Sequence, residues 1–215
     1  MMKLKLTRGQ IAGAIFFLVL LFDQASKLWI KTHMALHDSY KITSWFYIYF
    51  IENNGMAYGI EIFNKLFLTL FRLVAVIVFC YYLRKCIKQH YPKGFIAGFT
   101  LIIAGALGNL IDSIFYGQIF TDSIGRVAEM FPGSGGGYAP YFYGKVVDML
   151  YFPLFEFTWP QWIPFVGGTD YLFFRPVFNI ADSAVTVGVA ILLLFYRHVL
   201  ATEEEQKKSV SKSEK

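Results

Sequence analysis

The 215-residue chain reads as an all-α integral membrane protein, a four-helix transmembrane bundle with a small extracytoplasmic β-sheet and an extended extracytoplasmic insert. Three observations predict this. Apolar residues make up 56% of the chain and charged ones only 16%, unlike a soluble domain. Four stretches approach the ~20 apolar residues that cross a bilayer. Lysine and arginine gather in alternate connections, as they do when those connections stay in the cytoplasm.

The first span is residues 11–30, "IAGAIFFLVLLFDQASKLWI". It resembles a signal peptide only in position: it is long, it contains Asp23, and no A-x-A site follows, so it is kept as a span. The first outer segment, 31–65, contains "WFYIYFIE", whose aromatic and β-branched residues favour strand, followed by an Asn53-Asn54-Gly55 turn signal. The second span covers residues 66–83 and the third 94–115, joined by a link holding Arg84, Lys85, Lys88 and Lys93. The second outer segment, 118–175, has a Gly/Pro stretch, "FPGSGGGYAPYFYG". It continues with "YFPLFEFTWPQWIPFVGG", too broken by proline to span and too apolar for a solvated linker. That stretch is expected to lie at the interface, with Trp159 and Trp162 at headgroup depth. The fourth span runs from about residue 178 to 200, and the tail 201–215 is polar and expected to be disordered. Residues 1–200 are read as a single domain. With Lys3, Lys5 and Arg8 at one end and Arg197, Lys207, Lys208, Lys212 and Lys215 at the other, both termini are expected in the cytoplasm.

Several function classes fall away. The net charge of +5 is not gathered into a basic, aromatic-laced patch, so no nucleic-acid partner is expected. Cys80 and Cys86 point different ways on or beside one helix, which leaves no disulfide framework. His33, His37, His90 and His198 form no zinc set, so no metal or other cofactor is expected. No G-x-S-x-G is present, and no histidine stands as base to Ser26, Ser113 or Ser183.

What remains is polar and gathers at one depth. Asp23 and Lys27 share a face near the outer end of span one. Asn109 and Asp112 end span three, and Asn179 and Asp182 open span four. Asp148 sits in the apolar string "GKVVDMLYF" of the outer segment. A carboxylate near lipid is costly, which suggests a use. Two carboxylates held together share a proton, so one can act as base on water while the other acts as acid towards an amide. Simpler roles exist for each. The pattern N-x-x-D also suits a helix cap for Asp182, Asp112 also suits a supporting pair, and Asn53 with Gly55 also suits a plain turn. A proton-coupled membrane transporter would use intramembrane carboxylates too, but spread along a path through the bilayer. A scaffold protein would need no acid cluster at all.

"FDQASKLWI", "NNGMAYGI", "AGALGNLIDS", "GKVVDML" and "FNIADSAVTVG" occur in the order seen in lipoprotein signal peptidases (signal peptidase II), which the chain resembles across all four spans. The resemblance implies a bacterial inner-membrane aspartic endopeptidase. Such an enzyme cuts prolipoprotein signal peptides on the N-terminal side of a diacylglyceryl-modified cysteine, at the outer face of the membrane. It also implies inhibition by globomycin, contact with membrane lipids and a monomeric enzyme. Position by position, the catalytic aspartates are Asp148 and Asp182. Asp23, Lys27, Asn53, Gly55, Asn109, Asp112 and Asn179 fall on supporting or substrate-contacting positions. Two departures stand out. Ser113 replaces the family's usual arginine, whose role would pass to Arg72 or Arg126, and the outer segments flanking Asp148 are long enough to form a lid or lipid-contacting arm.

Overall fold

The computed structural model describes residues 6–54, 64–133 and 135–199. Helix α1 (Arg8–His33) opens on a Thr7 cap: Thr7 Oγ1 accepts from the Gln10 amide while Gln10 Oε1 accepts from the Thr7 amide. Helix α2 (Lys65–Lys88) is capped by Asn64, which accepts from the Leu66 amide. Helix α3 (Lys93–Ile111) follows Pro92 and runs into one π turn, Asp112–Tyr116, and a last short turn, α4 (Gly117–Ile119). By length and composition, α1, α2 and the 93–119 helix are each able to cross a membrane. The remaining apolar helix, α5 (Ile180–Phe195), has 16 residues.

The expected fourth span, residues 178–200, is therefore shorter at its start. Val177 and Phe178 are taken by a strand, and Asn179 caps the helix with Asp182 at its third position. At the other end the helix closes on Tyr196, and the predicted tail 201–215 lies outside the described residues. Conversely, α1 reaches three residues beyond the expected end at residue 30, which brings Lys31 onto the helix.

Helix α3 is central, packed against α5, α1 and α2. Its approach to α5 depends on glycine. A Cβ at Gly98 would stand 2.9 Å from Ile191 Cγ2, and one at Gly188 would stand 2.8 Å from Ile102 Cγ1. Among apolar helices in lipid, such small-residue contacts supply the packing that water would otherwise drive. Helix α2 turns most of its apolar surface outward, with Phe71 and Ile77 exposed and Thr69, Val76 and Cys86 buried, as a lipid-facing helix should.

Beyond the helices lies a four-stranded antiparallel sheet in the order β1 (Ser39–Lys41), β2 (Tyr47–Asn53), β3 (Val146–Tyr151), β6 (Val177–Phe178). The "WFYIYFIE" strand expectation is met by β2. Strand β3 is buried from Val146 to Met149, with Val147 and Met149 packed among Ile30 and Met34 of α1, Tyr116 and Phe120 at the end of the 93–119 helix, and Ala128 of the insert. That insert is ordered against the π turn and α4: Phe142 and Gly144 donate to the carbonyls of Ile114 and Ser113, and Ala139 donates to Gly117. The string expected to lie at the interface pairs with itself as a separate hairpin, β4 (Phe155–Thr158) with β5 (Asp170–Phe173).

Candidate functional site

Three elements deliver the acids to one place. Strand β3 presents Asp148, opposite Ile51 of β2 and 2% exposed. Asp182 is half-buried in the first turn of α5, and Asn53 ends β2.

Asn179 joins the two aspartates. Its side-chain Nδ2 donates to Asp148 Oδ1 at 2.6 Å and also reaches the Val147 carbonyl and Asn109 Oδ1. Its Oδ1 accepts from the Asp182 amide at 2.9 Å, while Asp182 Oδ2 accepts from the Asn179 amide at 3.3 Å. The cap reading of Asp182 is therefore correct, and the cap also aims the carboxylate. Each remaining oxygen has its own amide donor. Asn53 Nδ2 donates to Asp148 Oδ2, and Asn109 Nδ2 donates to Asp182 Oδ1 at 2.7 Å.

Lys27 sets the orientation of Asn109. An ammonium only donates, so the 2.8 Å contact between Lys27 Nζ and Asn109 puts the amide oxygen on the lysine and leaves the NH₂ for Asp182. Lys27 is fully buried and ion-paired to both Asp23 and Asp112, each at 2.9 Å. Asp23 also accepts from the Ala181 amide at 2.9 Å, one residue before Asp182. Asp112 accepts from the Val147 amide at 3.3 Å, one residue before Asp148. Asp23, Lys27 and Asp112 thus form a brace under both catalytic candidates.

Burial, followed by the facing charge of Asp182, pushes the Asp148 carboxyl up to about 8, against the weaker pull of Lys27, Asn179 and Asn53. A carboxyl so placed keeps its proton at neutral pH. With a second carboxylate close by, the arrangement can hold one proton between two acids, as general acid–base attack by water requires. The described residues contain no group of three or more His, Cys, Asp or Glu side chains able to hold a metal ion.

Of the predicted site residues, the structure brings together Asp23, Lys27, Asn53, Asn109, Asp112, Asp148, Asn179 and Asp182. Gly55 lies outside the described residues. The sequence reading missed three others. Gln24 Nε2 bridges Asp23 and Asp112, 3.0 Å from each. Lys31 is fully buried, paired with Glu52 at 2.7 Å and bonded to Ser123, with the rings of Phe120 and Tyr138 beside it. Its i,i+4 spacing from Lys27 was the available signal. Lys65 donates to Ser113 Oγ at 3.3 Å and to the Asn54 carbonyl at 2.9 Å. A cation thus does stand at Ser113, but it comes from the start of α2. Arg126 does not supply it, since its guanidinium is held by the exposed Asp122. Arg72, on α2, interacts electrostatically with both Asp148 and Asp182.

Known proteins resemble the chain over most of its length. A family model described as signal peptidase (SPase) II matches residues 15–197. A lipoprotein signal peptidase of Porphyromonas gingivalis is 47% identical over 207 residues, covering 96% of this chain and 91% of the relative. One of Amoebophilus asiaticus is 35% identical over 187 residues, covering 84% of this chain and 75% of the relative. Two solved structures, both described as bacterial membrane enzyme structures obtained by the in meso method, align with TM-scores of 0.57 and 0.58 at 27% and 26% identity. They cover 85% and 91% of this chain and 90% of each structure.

Proposed function

The chain belongs to the signal peptidase II family, and from that premise we propose that Asp148 and Asp182 are its catalytic pair. The protein is a membrane peptidase of the bacterial inner membrane that removes signal peptides from prolipoproteins. The observation that carries the catalytic assignment is the single amide of Asn179, hydrogen-bonded to Asp148 on one side and capped onto Asp182 on the other.

A water held between the carboxyls attacks the scissile carbonyl carbon. Asp182 takes the water's proton, while the protonated Asp148 donates to the carbonyl oxygen as it gains charge. Collapse of the resulting diol breaks the C–N bond: the proton held on Asp182 goes to the leaving amine, and one diol hydroxyl returns its proton to Asp148 as the carbonyl re-forms. Asn53, Asn109 and Asn179 keep the carboxyls in register, and the Asp23–Lys27–Asp112 brace holds the strand and helix that carry them. The bond cut lies N-terminal to a cysteine bearing diacylglycerol, whose chains remain among the membrane lipids and so set the depth of that bond. Lys65, beside Ser113, supplies the positive charge for which the usual arginine is absent.

All four apolar helices cross the membrane, α5 with the help of the residues flanking it, in a single domain spanning residues 1–200. Both termini are cytoplasmic, the dyad is at the outer face, and the enzyme works as a monomer inhibited by globomycin. The transport reading asks for acids along a path through the bilayer, whereas Asp23, Asp112 and Asp148 converge at one end of the bundle.

The test is incubation of purified protein with a diacylated prolipoprotein peptide. The parent releases a product beginning at the lipidated cysteine, while Asp148→Asn and Asp182→Asn accumulate in membranes and release none. Full processing by either variant would overturn the assignment.

A further inference from the structure

Between β3 and β6, residues 154–174 leave the four-stranded sheet and fold back as the β4–β5 hairpin. Its register pairs Phe155 with Phe173, Glu156 with Leu172, Phe157 with Tyr171 and Thr158 with Asp170. Because side chains alternate along a strand, the two faces differ in chemistry. One face carries Phe155, Phe157, Tyr171 and Phe173, and the other carries Glu156, Thr158 and Asp170 with Leu172. The rings on the aromatic face touch one another: Phe155 and Phe173 stack with centroids 4.8 Å apart, and Trp159 extends the row 4.9 Å from Phe157. They are nevertheless open, Phe155 being 55% exposed and Phe173 43%. At the tip Trp162 is 80% exposed, and Phe165 is fully exposed in a left-handed backbone conformation that bulky residues avoid.

A two-stranded hairpin is marginal in water. Among the described residues this one has substantial packing only between its own strands. Something apolar must cover its aromatic face, and the band of rings leading to it indicates what. Trp29, near the outer end of the membrane-crossing helix α1, lies 6.4 Å from Tyr40 of the sheet, and both are exposed. Trp45, also exposed, lies 6.1 Å from Phe152. Phe152 stacks on Phe178, and Phe178 meets Phe174 at the foot of the hairpin. The hairpin therefore prolongs the aromatic belt of a protein already resident in a bilayer, and its acids all lie on the opposite face.

We infer that the β4–β5 hairpin is a lipid anchor, lying flat in the outer-leaflet interface with its aromatic face and tip among the acyl chains and Glu156 and Asp170 turned to water. The side of the membrane rests on the topology proposed above. Inserted between β3 and β6, the anchor holds both acid-bearing elements at a fixed height over the lipid.

The experiment uses the full chain with Trp29→Phe and Trp45→Phe, which leaves Trp159 and Trp162 as the emitters among its four tryptophans. The protein is placed in phosphatidylcholine–phosphatidylglycerol nanodiscs containing nitroxide-labelled phosphatidylcholine, and cleavage of a diacylated peptide is measured on the same sample. The expected result is tryptophan quenching at least about twofold stronger with the nitroxide near the glycerol than near the chain terminus. Emission from water-exposed tryptophan without quenching by labelled lipid, while cleavage persists, overturns the anchor and leaves the peptidase reading standing. Quenching that appears only with a nitroxide-labelled substrate makes the hairpin a substrate clamp and also overturns the anchor. Lipid quenching without cleavage supports the anchor and counts against the peptidase reading alone.

Discussion

Replacing Asp148 with asparagine should abolish cleavage and make the protein more stable at alkaline pH. The native carboxyl is pushed up to about 8 from an ordinary 3.8, chiefly by burial. Between those values the folded protein holds a proton that the unfolded chain has released, so the parent loses stability as pH rises through that window. At ~1.4 kcal/mol per pH unit the cost is ~2 kcal/mol at pH 5 and reaches ~6 kcal/mol at pH 8. The amide cannot ionise and escapes this cost. It has its own penalty, because Asn53 and Asn179 both aim NH₂ groups at this side chain. One of them then faces another donor, which costs ~1–3 kcal/mol at any pH. The variant should therefore match the parent near pH 5 and exceed it by ~3–5 kcal/mol at pH 8. Thermal unfolding of both proteins in detergent at the two pH values reads this as a difference in Tm that opens by several degrees. A difference in Tm that stays constant from pH 5 to pH 8 would refute the proton held on Asp148.

Four further outcomes follow from the same contacts. Peptidase activity that depends on protonated Asp148 should decline as pH rises past about 8, seen as the alkaline limb of kcat/KM for the diacylated peptide. Asn179→Ala removes the contact to Asp148 and the cap on α5 together. It should cost ~1 kcal/mol in unfolding for the cap and roughly 100-fold in kcat for the misplaced carboxyls. Lys27→Met leaves Asp23 and Asp112 buried without a counter-charge, so unfolding should show a loss of ~3–5 kcal/mol, partly restored by adding Asp112→Asn. Gly105→Ala puts a methyl group against the Ala181 carbonyl and 2.8 Å from Val185 Cγ2. It should push α5, and Asp182 with it, away from α3 and lower kcat by roughly tenfold or more with little change in KM.

The sequence by itself determined the membrane class, three of the helices and the identity of the acids, because each rests on local composition. Hydropathy over ~20 residues marks α1, α2 and α3, and an aspartate beside lipid is conspicuous wherever it occurs. The string "NIAD" likewise gave the cap that starts α5. Pairing partners were not local and so were not legible. That Lys65 would reach Ser113, that Gln24 would bridge Asp23 and Asp112, and that Lys31 would be buried against Glu52 all depend on segments dozens of residues apart meeting in space. The outer insert shows the same limit. Its proline and aromatic content announced a segment that does not span, but only strand register could divide it into an aromatic face and an acidic one. Tertiary structure alone decided how Asp148 and Asp182 are joined. A hydrogen bond needs two groups at the right distance and angle, and the Asn179 amide finds Asp148 because β3 and the start of α5 are held together by a brace that begins on α1.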